Sequence, residues 1–277
     1  MKFSLFEQIY KDTGTTGEVS KKYGIGEETV KGIFAKRAHY QLMASLGTLH
    51  ANHPPNHLSA LYTQGTSLPE LCKAHKLPPC IVMRILLKAL HPQLNPTLVL
   101  RASDDGGNVI EDPRLNKDIE WALKEDMEHS PAMDLIRQQL GKAYEEKIRA
   151  WLLLNKIPFY EEAQERLKGV PKTPDFRLLL PIAVQLKNDS SENEGDDDKG
   201  RKDKWRVITW IESKAMFGDP KTDAAYHREQ FRPYWNRFGP GLVIYWFDFV
   251  TEEEQEEEEG ELIYKSSCLP KAMQVIE

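Results

Sequence analysis

Trp205-Arg-Val-Ile-Thr-Trp-Ile-Glu-Ser-Lys214 is the stretch on which the fold turns. Its aromatic and β-branched residues predict a strand, and a period of two puts Glu212 and Lys214 on one face, opposite Ile211 and Ser213. Working outward, strand-like runs occupy Phe176–Leu186 and Leu242–Val250. A helix from about Asp223 to Phe238 lies before the last of these and ends in Phe238-Gly239-Pro240-Gly241, a glycine cap followed by a proline. A long helix from about Met133 to Lys156 precedes Pro158. The order α-β-β-α-β, with Leu262–Tyr264 as a last strand, predicts an α/β domain with a mixed sheet.

Two carboxylates join Glu212 by position. Asp175 opens the preceding strand in Thr173-Pro-Asp-Phe176; if the two strands form a hairpin, Asp175 lies beside Glu212 at its open end. Like charges held together repel, and a bound Mg²⁺ or Mn²⁺, which takes oxygen ligands, removes that cost. On the long helix Glu145 shares a face with Ile148 and Leu152, whereas Glu146 neighbours Lys142 and Arg149 in a surface row. An inward Glu145 needs a partner, which a metal at the sheet end would supply. Taken singly, each is as ordinary as any surface charge; the joint order carries the signal.

The first ninety residues read as short helices in two similar units. Gly17–Gly24, a turn at Ile25-Gly26 and a helix from Glu27 to Arg37 with Val30, Ile33 and Phe34 on one face make the first. In the second, Ser67 caps a helix through His75, Leu77-Pro78-Pro79 turns, and Cys80–Leu90 carries Ile81, Ile85 and Leu86. This is the helix-turn-helix plan, offering Lys31, Lys36, Arg37, Arg84 and Lys88 to DNA, and equally the plan of a packing module. His50, His53 and His57 suggest a metal, but Pro54-Pro55 prevents helical spacing from aligning them, so a polar loop is expected. From about Gly106 to Pro113 the sequence reads as loop, placing the division at 1–112 (helical region) and 113–277 (α/β domain).

The 277 residues hold 37 Lys+Arg and 43 Asp+Glu, a formal charge of -6 that argues against a nucleic-acid partner. Its location reverses the argument. Residues 188–204 carry seven acids and four bases, and 252–261 eight acids and no base, so the other 250 residues hold 33 bases against 28 acids. Both acidic runs lack apolar residues and read as mobile solvated loops, or as docking sites for a basic partner. Cys72, Cys80 and Cys268 form no disulfide framework or Cys-x-x-Cys pair, so a reducing compartment is expected. Residues 1–14 are too quickly charged for a secretory signal, and no run approaches the ~18 apolar residues of a membrane span. A soluble intracellular protein is expected.

Pro174-Asp175 followed by Glu212-Ser-Lys214 resembles the PD-(D/E)XK nuclease superfamily. Gly141-x-x-Tyr144-Glu145 looks like the acidic-helix motif of its Holliday-junction-resolvase branch, and Gln230-x-x-x-Tyr234 resembles the fourth motif. More closely, Thr173–Phe176, Trp210-Ile-Glu-Ser-Lys-Ala215, Phe217-Gly-Asp219 and Tyr234-Trp-Asn-Arg-Phe-Gly-Pro-Gly-Leu-Val-Ile-Tyr-Trp246 resemble the signature of the codanin-interacting nuclease family of animals across 140–250. The N-terminal half resembles that family's two helix-turn-helix-like modules more loosely. The two charged insertions depart from the pattern, as does Pro233, which should kink the Gln230–Tyr234 turn.

The resemblance implies a restriction-endonuclease-like core and a metal-dependent nuclease acting on nucleic acid, chiefly DNA, in nucleus and cytoplasm, with codanin as partner and no membrane. Asp175, Glu212 and the Ser213 carbonyl would hold Mg²⁺ (or Mn²⁺), with Glu145 a further ligand. Lys214 would complete the catalytic set Glu145, Asp175, Glu212 and Lys214 by orienting water and offsetting developing charge. Gln230 and Tyr234 would position the scissile backbone, or simply pack the core. Trp210, Trp235, Tyr245 and Trp246 are core residues first and base-stacking platforms second. Two other readings stay open: a catalytically silent adaptor acting through codanin, and a DNA-binding protein using its helix pairs.

Overall fold

The computed structural model describes residues 1–107, 110–169, 171–186, 205–251 and 262–276; the acidic runs at 188–204 and 252–261 lie outside them. The chain forms two compact units, Met1–Lys36 with Gly141–Glu277, and Arg37–Leu140. This grouping differs from a division near residue 112, and the packing gives the reason. Phe6, Ile9, Val19, Val30 and Ile33, from the first helices, form one buried cluster with Phe217 and Val250 of the α/β region. Gly32 admits this contact, since a Cβ there would come 2.8 Å from Phe217 Cβ.

In the first unit α1 (Phe3–Lys11) and α2 (Thr16–Tyr23) precede α3 (Glu27–Asn52), which passes on into the second unit. A reciprocal Thr15–Glu18 capping box starts α2, and Gly24 ends it at φ 67°. The helix expected to stop at Arg37 runs for 26 residues. Residues 38–52 are rich in helix formers, with nothing to end the helix before Pro54.

The second unit holds the rest of α3, then α4 (His57–Thr63), α5 (Leu68–His75), α6 (Pro79–Leu90), α7 (Pro96–Asp104), α8 (Pro113–Glu125) and the first part of α9 (Pro131–Leu154). Ser67 and Glu70 form the box that starts α5. Its core gathers Leu68, Leu71, Leu77, Cys80, Val82, Met83, Leu86 and Leu87 with residues of α7 and α8; Ile81 and Ile85 are only half-buried.

The expected cations of the helix pairs are largely engaged. Lys31 bonds Glu28, Arg84 bonds Asp134, and Lys36 is drawn inward to Asp219 and Thr222, while Lys88 is exposed. The histidine expectation also changes. The turn at Pro54-Pro55 stacks His57 on His53 at 3.8 Å, and His75 meets both edge-on at 5.3 and 5.4 Å, while His50 is exposed.

The sheet contains β1 (Phe159–Glu161), β2 (Phe176–Gln185), β3 (Trp205–Lys214), β4 (Gly241–Tyr245), β5 (Ile263–Ser266) and β6 (Ala272–Val275), with α10 (Glu162–Leu167) after β1. Its order is β1-β2-β3-β4-β5, with β6 also beside β2. β2 and β3 are antiparallel; β3, β4 and β5 run parallel, so the sheet is mixed. The β3–β4 crossover is α11 (Pro220–Tyr226), a π-helical turn (His227–Phe231) and α12 (Arg232–Phe238).

Ile148 and Leu152 of α9 pack on one sheet face against Phe176, Ile182, Ile208 and Ile244. Trp210, Val243 and Tyr245 meet Phe231 and Tyr234 on the other. Trp210 and Tyr245 are thus core. The strand expected to reach Val250 ends at Tyr245, because Asp248, at φ 72°, turns back with its N–H on the Tyr245 carbonyl. Among the described residues no helix is long and apolar enough to cross a membrane.

Candidate active site

The site is built where β2 begins and β3 ends. Phe176 pairs with Ile211, so the register brings Asp175, one residue earlier, beside Glu212, one residue later. Two main-chain bonds hold the pair. Asp175 N–H donates to Glu212 Oε2 at 3.1 Å, and Ser213 N–H donates to Asp175 Oδ2 at 2.7 Å. Each carboxylate is therefore fixed by a main-chain group of the other's strand. The Ser213 hydroxyl accepts from Trp246 Nε1 at 2.9 Å, which makes Trp246 a support of the site.

Glu212 is 4% exposed and faces its cation along the same strand: Lys214 Nζ lies 2.7 Å from Glu212 Oε1. The same ammonium donates to Gln230 Oε1 at 2.8 Å and sits over the Tyr226 ring at 4.4 Å. Two of its three protons are thereby committed.

Electrostatics follow from this crowding. Burial, then the neighbouring Glu212, pushes the Asp175 carboxyl well above the usual carboxylate range; Glu145 adds to the rise and the Ser213 N–H opposes it. Burial also raises Glu212, against the pull of Lys214. For Lys214 burial works against the charge, yet Glu212 and Asp175 outweigh it and its pKa is raised. Like charges and desolvation at one strand end are the arrangement that a bound cation relieves.

Gln230 reaches Lys214 because of the π-turn. Proline has no N–H, so Pro233 cannot serve the Glu229 carbonyl as an α-helix requires. The ladder widens instead, with Arg232 N–H donating to the His227 carbonyl five residues back. The expected kink is thus absorbed in one wide turn. Phe231 and Tyr234 point into the core, and Gln230 meets Lys214. Tyr234 is 5% exposed and packs edge-on against Trp210; burial, then Glu212, raises its phenol, so the hydroxyl stays protonated.

Glu145 stands half-buried on the sheet-facing side of α9, with Ile148 and Leu152 buried further along that face. Burial, then Glu162, raises its carboxyl. Glu146 turns outward to Arg149. Among the described residues no three His, Cys, Asp or Glu come together as a metal-binding group. The oxygen donors at hand are the two carboxylates and the Ser213 carbonyl, the ligand class of hard divalent cations.

Two neighbours escaped the sequence reading. Tyr226 lies under the Lys214 ammonium, and Glu162, whose N–H donates to the Asp175 carbonyl at 3.1 Å, raises Glu145 and Glu212 by its charge. Neither stands in a pattern with the strand residues; only the β1–β2 pairing and the crossover place them.

Comparison with known proteins gives one consistent result. The family model described as "Protein of unknown function TPD sequence-motif" matches residues 111–267. The Bos taurus protein named CDAN1-interacting nuclease 1 is 35% identical over 205 residues, 73% of this chain and 66% of the relative. The protein of that name from Homo sapiens is 35% identical over 196 residues, covering 69% of this chain and 62% of the relative. Its Danio rerio counterpart is 32% identical over 249 residues, 85% and 76%. The matched part of the chain thus spans a little under two thirds of the length of the bovine and human relatives. No solved structure matches.

Proposed function

The chain belongs to the CDAN1-interacting nuclease 1 family, and from that premise we propose that it is a divalent-metal-dependent nuclease that hydrolyses nucleic-acid phosphodiester bonds, DNA above all, and binds codanin. The observation that carries the reading is the interlock of Asp175, Glu212 and Lys214. Two strands exchange N–H bonds to bring two carboxylates together, and the lysine beside them is aimed by Gln230. An ordinary surface ion pair needs none of this.

Asp175, Glu212 and the Ser213 carbonyl would hold Mg²⁺ or Mn²⁺. When bound, such an ion supplies Lewis-acid polarisation of a phosphoryl oxygen and acidifies a water. This chain's residues do the rest. Lys214 keeps one proton beyond those on Glu212 and Gln230, and directs it at the charge developing on the phosphate. Gln230, accepting through Oε1, leaves its amide N–H groups for a backbone oxygen, and the protonated Tyr234 hydroxyl is a second donor. Glu145 adds negative field to the carboxylate pair and would be a further ligand, directly or through water. It would act in nucleus and cytoplasm, where the N-terminal helix pairs would add DNA contacts.

The test is cleavage of single-stranded, duplex and branched DNA in Mg²⁺ and in Mn²⁺, with Asp175→Asn and Lys214→Ala beside wild type. Cleavage by wild type, lost in both variants, is expected. A wild type that cuts nothing, while codanin binding survives in the same variants, leaves the adaptor reading in its place.

A further inference from the structure

Lys172 and Arg237 take no part in the site as described, yet they connect its two halves, and we propose that they form a cross-brace that positions Asp175 against the Gln230–Lys214 side. Pro233 deprives the Glu229 carbonyl of its helical donor, and Lys172 Nζ donates to that carbonyl at 3.0 Å. The return strut is Arg237, whose Nη1 donates to the carbonyls of Pro171 at 2.5 Å and Lys172 at 3.2 Å. A side chain from the segment leading into Asp175 thus ends on the turn that carries Gln230. A side chain from the helix after that turn ends on the segment.

The sequence distances are short on both sides. Asp175 lies three residues beyond Lys172, and Gln230 directly follows Glu229. Lys172 also adopts a left-handed φ of 51°, where a side chain is disfavoured and glycine is at ease. The β2–β3 interlock holds Asp175 and the Lys214 bond holds Gln230, each through β3; the brace adds a direct link between residues 171–172 and the π-turn. Misplacement of a reacting group by about 1 Å costs about 100-fold in rate, so this spacing matters to catalysis. Both residues are exposed, so their bonds set local geometry and add little to global stability.

The proposal rests on the phosphodiesterase reading only for its kinetic readout. Hydrogen exchange of residues 227–238 in the full chain, compared among wild type, Lys172→Met, Lys172→Arg and Arg237→Met, tests the brace without turnover. In Lys172→Met and in Arg237→Met that segment should exchange about tenfold faster while Tm stays within about 2 °C. In a cleavage assay Lys172→Met should lower kcat about fivefold or more with KM unchanged, and Lys172→Arg should restore both readouts. Unchanged exchange in Lys172→Met overturns the brace, as does faster exchange with an undiminished kcat. If wild type cleaves nothing, the functional reading falls while the exchange result still decides the brace.

Discussion

Asp175→Asn should make the metal-free protein more stable at alkaline pH. Burial and Glu212 raise the folded-state pKa of Asp175. The native state therefore holds its full stability below the unfolded value of about 3.9 and loses some of it as pH climbs through the folded value. Each unit of that rise corresponds to about 1.4 kcal/mol. Asp175 keeps part of its surface in solvent, which discounts the effect, and the variant is expected to be the more stable of the two at pH 8. Asparagine retains an oxygen for the Ser213 N–H, so that bond survives the change. Urea unfolding in EDTA across the pH range is the assay, and the gain should vanish below about pH 4. Adding Mg²⁺ at roughly 100 times its Kd should stabilise wild type by about 2.7 kcal/mol and the variant far less, reversing their order. An Asn variant less stable than wild type at pH 8 in EDTA, or a gain independent of pH, would refute the reasoning.

Gly241→Ala should destabilise the protein by about 3 kcal/mol or more in urea unfolding, since a Cβ there would lie 1.9 Å from the buried Trp210 ring. Lys36→Met strips the cation from Asp219, which is 2% exposed, and should cost about 3–5 kcal/mol; adding Asp219→Asn should recover part of it in a double-mutant cycle. Burial pushes the thiols of Cys72 and Cys80 up to about 11 and about 12, so iodoacetamide at pH 7.5 should leave both unlabelled in the native protein and label them in urea.

What the sequence disclosed depended on range. Period-two spacing placed Glu212 with Lys214, and the hairpin placed Asp175 beside them, because both rest on local chain geometry. Helical spacing likewise set Glu145 inward with Ile148 and outward Glu146 with Arg149. It could not give depth, since a helix phase fixes direction and not distance. Short elements were illegible for a related reason. β1 has three residues and β6 four, too few for a period, and each exists through pairing with β2. Pro233 read as a kink because propensity describes the α-helix alone. The chain took a π-turn, and with it the approach of Gln230 to Lys214. The grouping of the first helices with the α/β region was not legible, as nothing local tells that Ile33 packs against Phe217.

The central claim is that Lys214, held between Glu212 and Gln230, acts on a phosphodiester beside Asp175. Single-turnover cleavage of DNA in Mn²⁺ by wild type and by Lys214→Met, with folding checked by circular dichroism, tests it most directly. The account predicts cleavage by wild type and a rate lower by about 100-fold or more in the variant. Equal rates, or no cleavage by a folded wild type on any DNA structure offered, would contradict it.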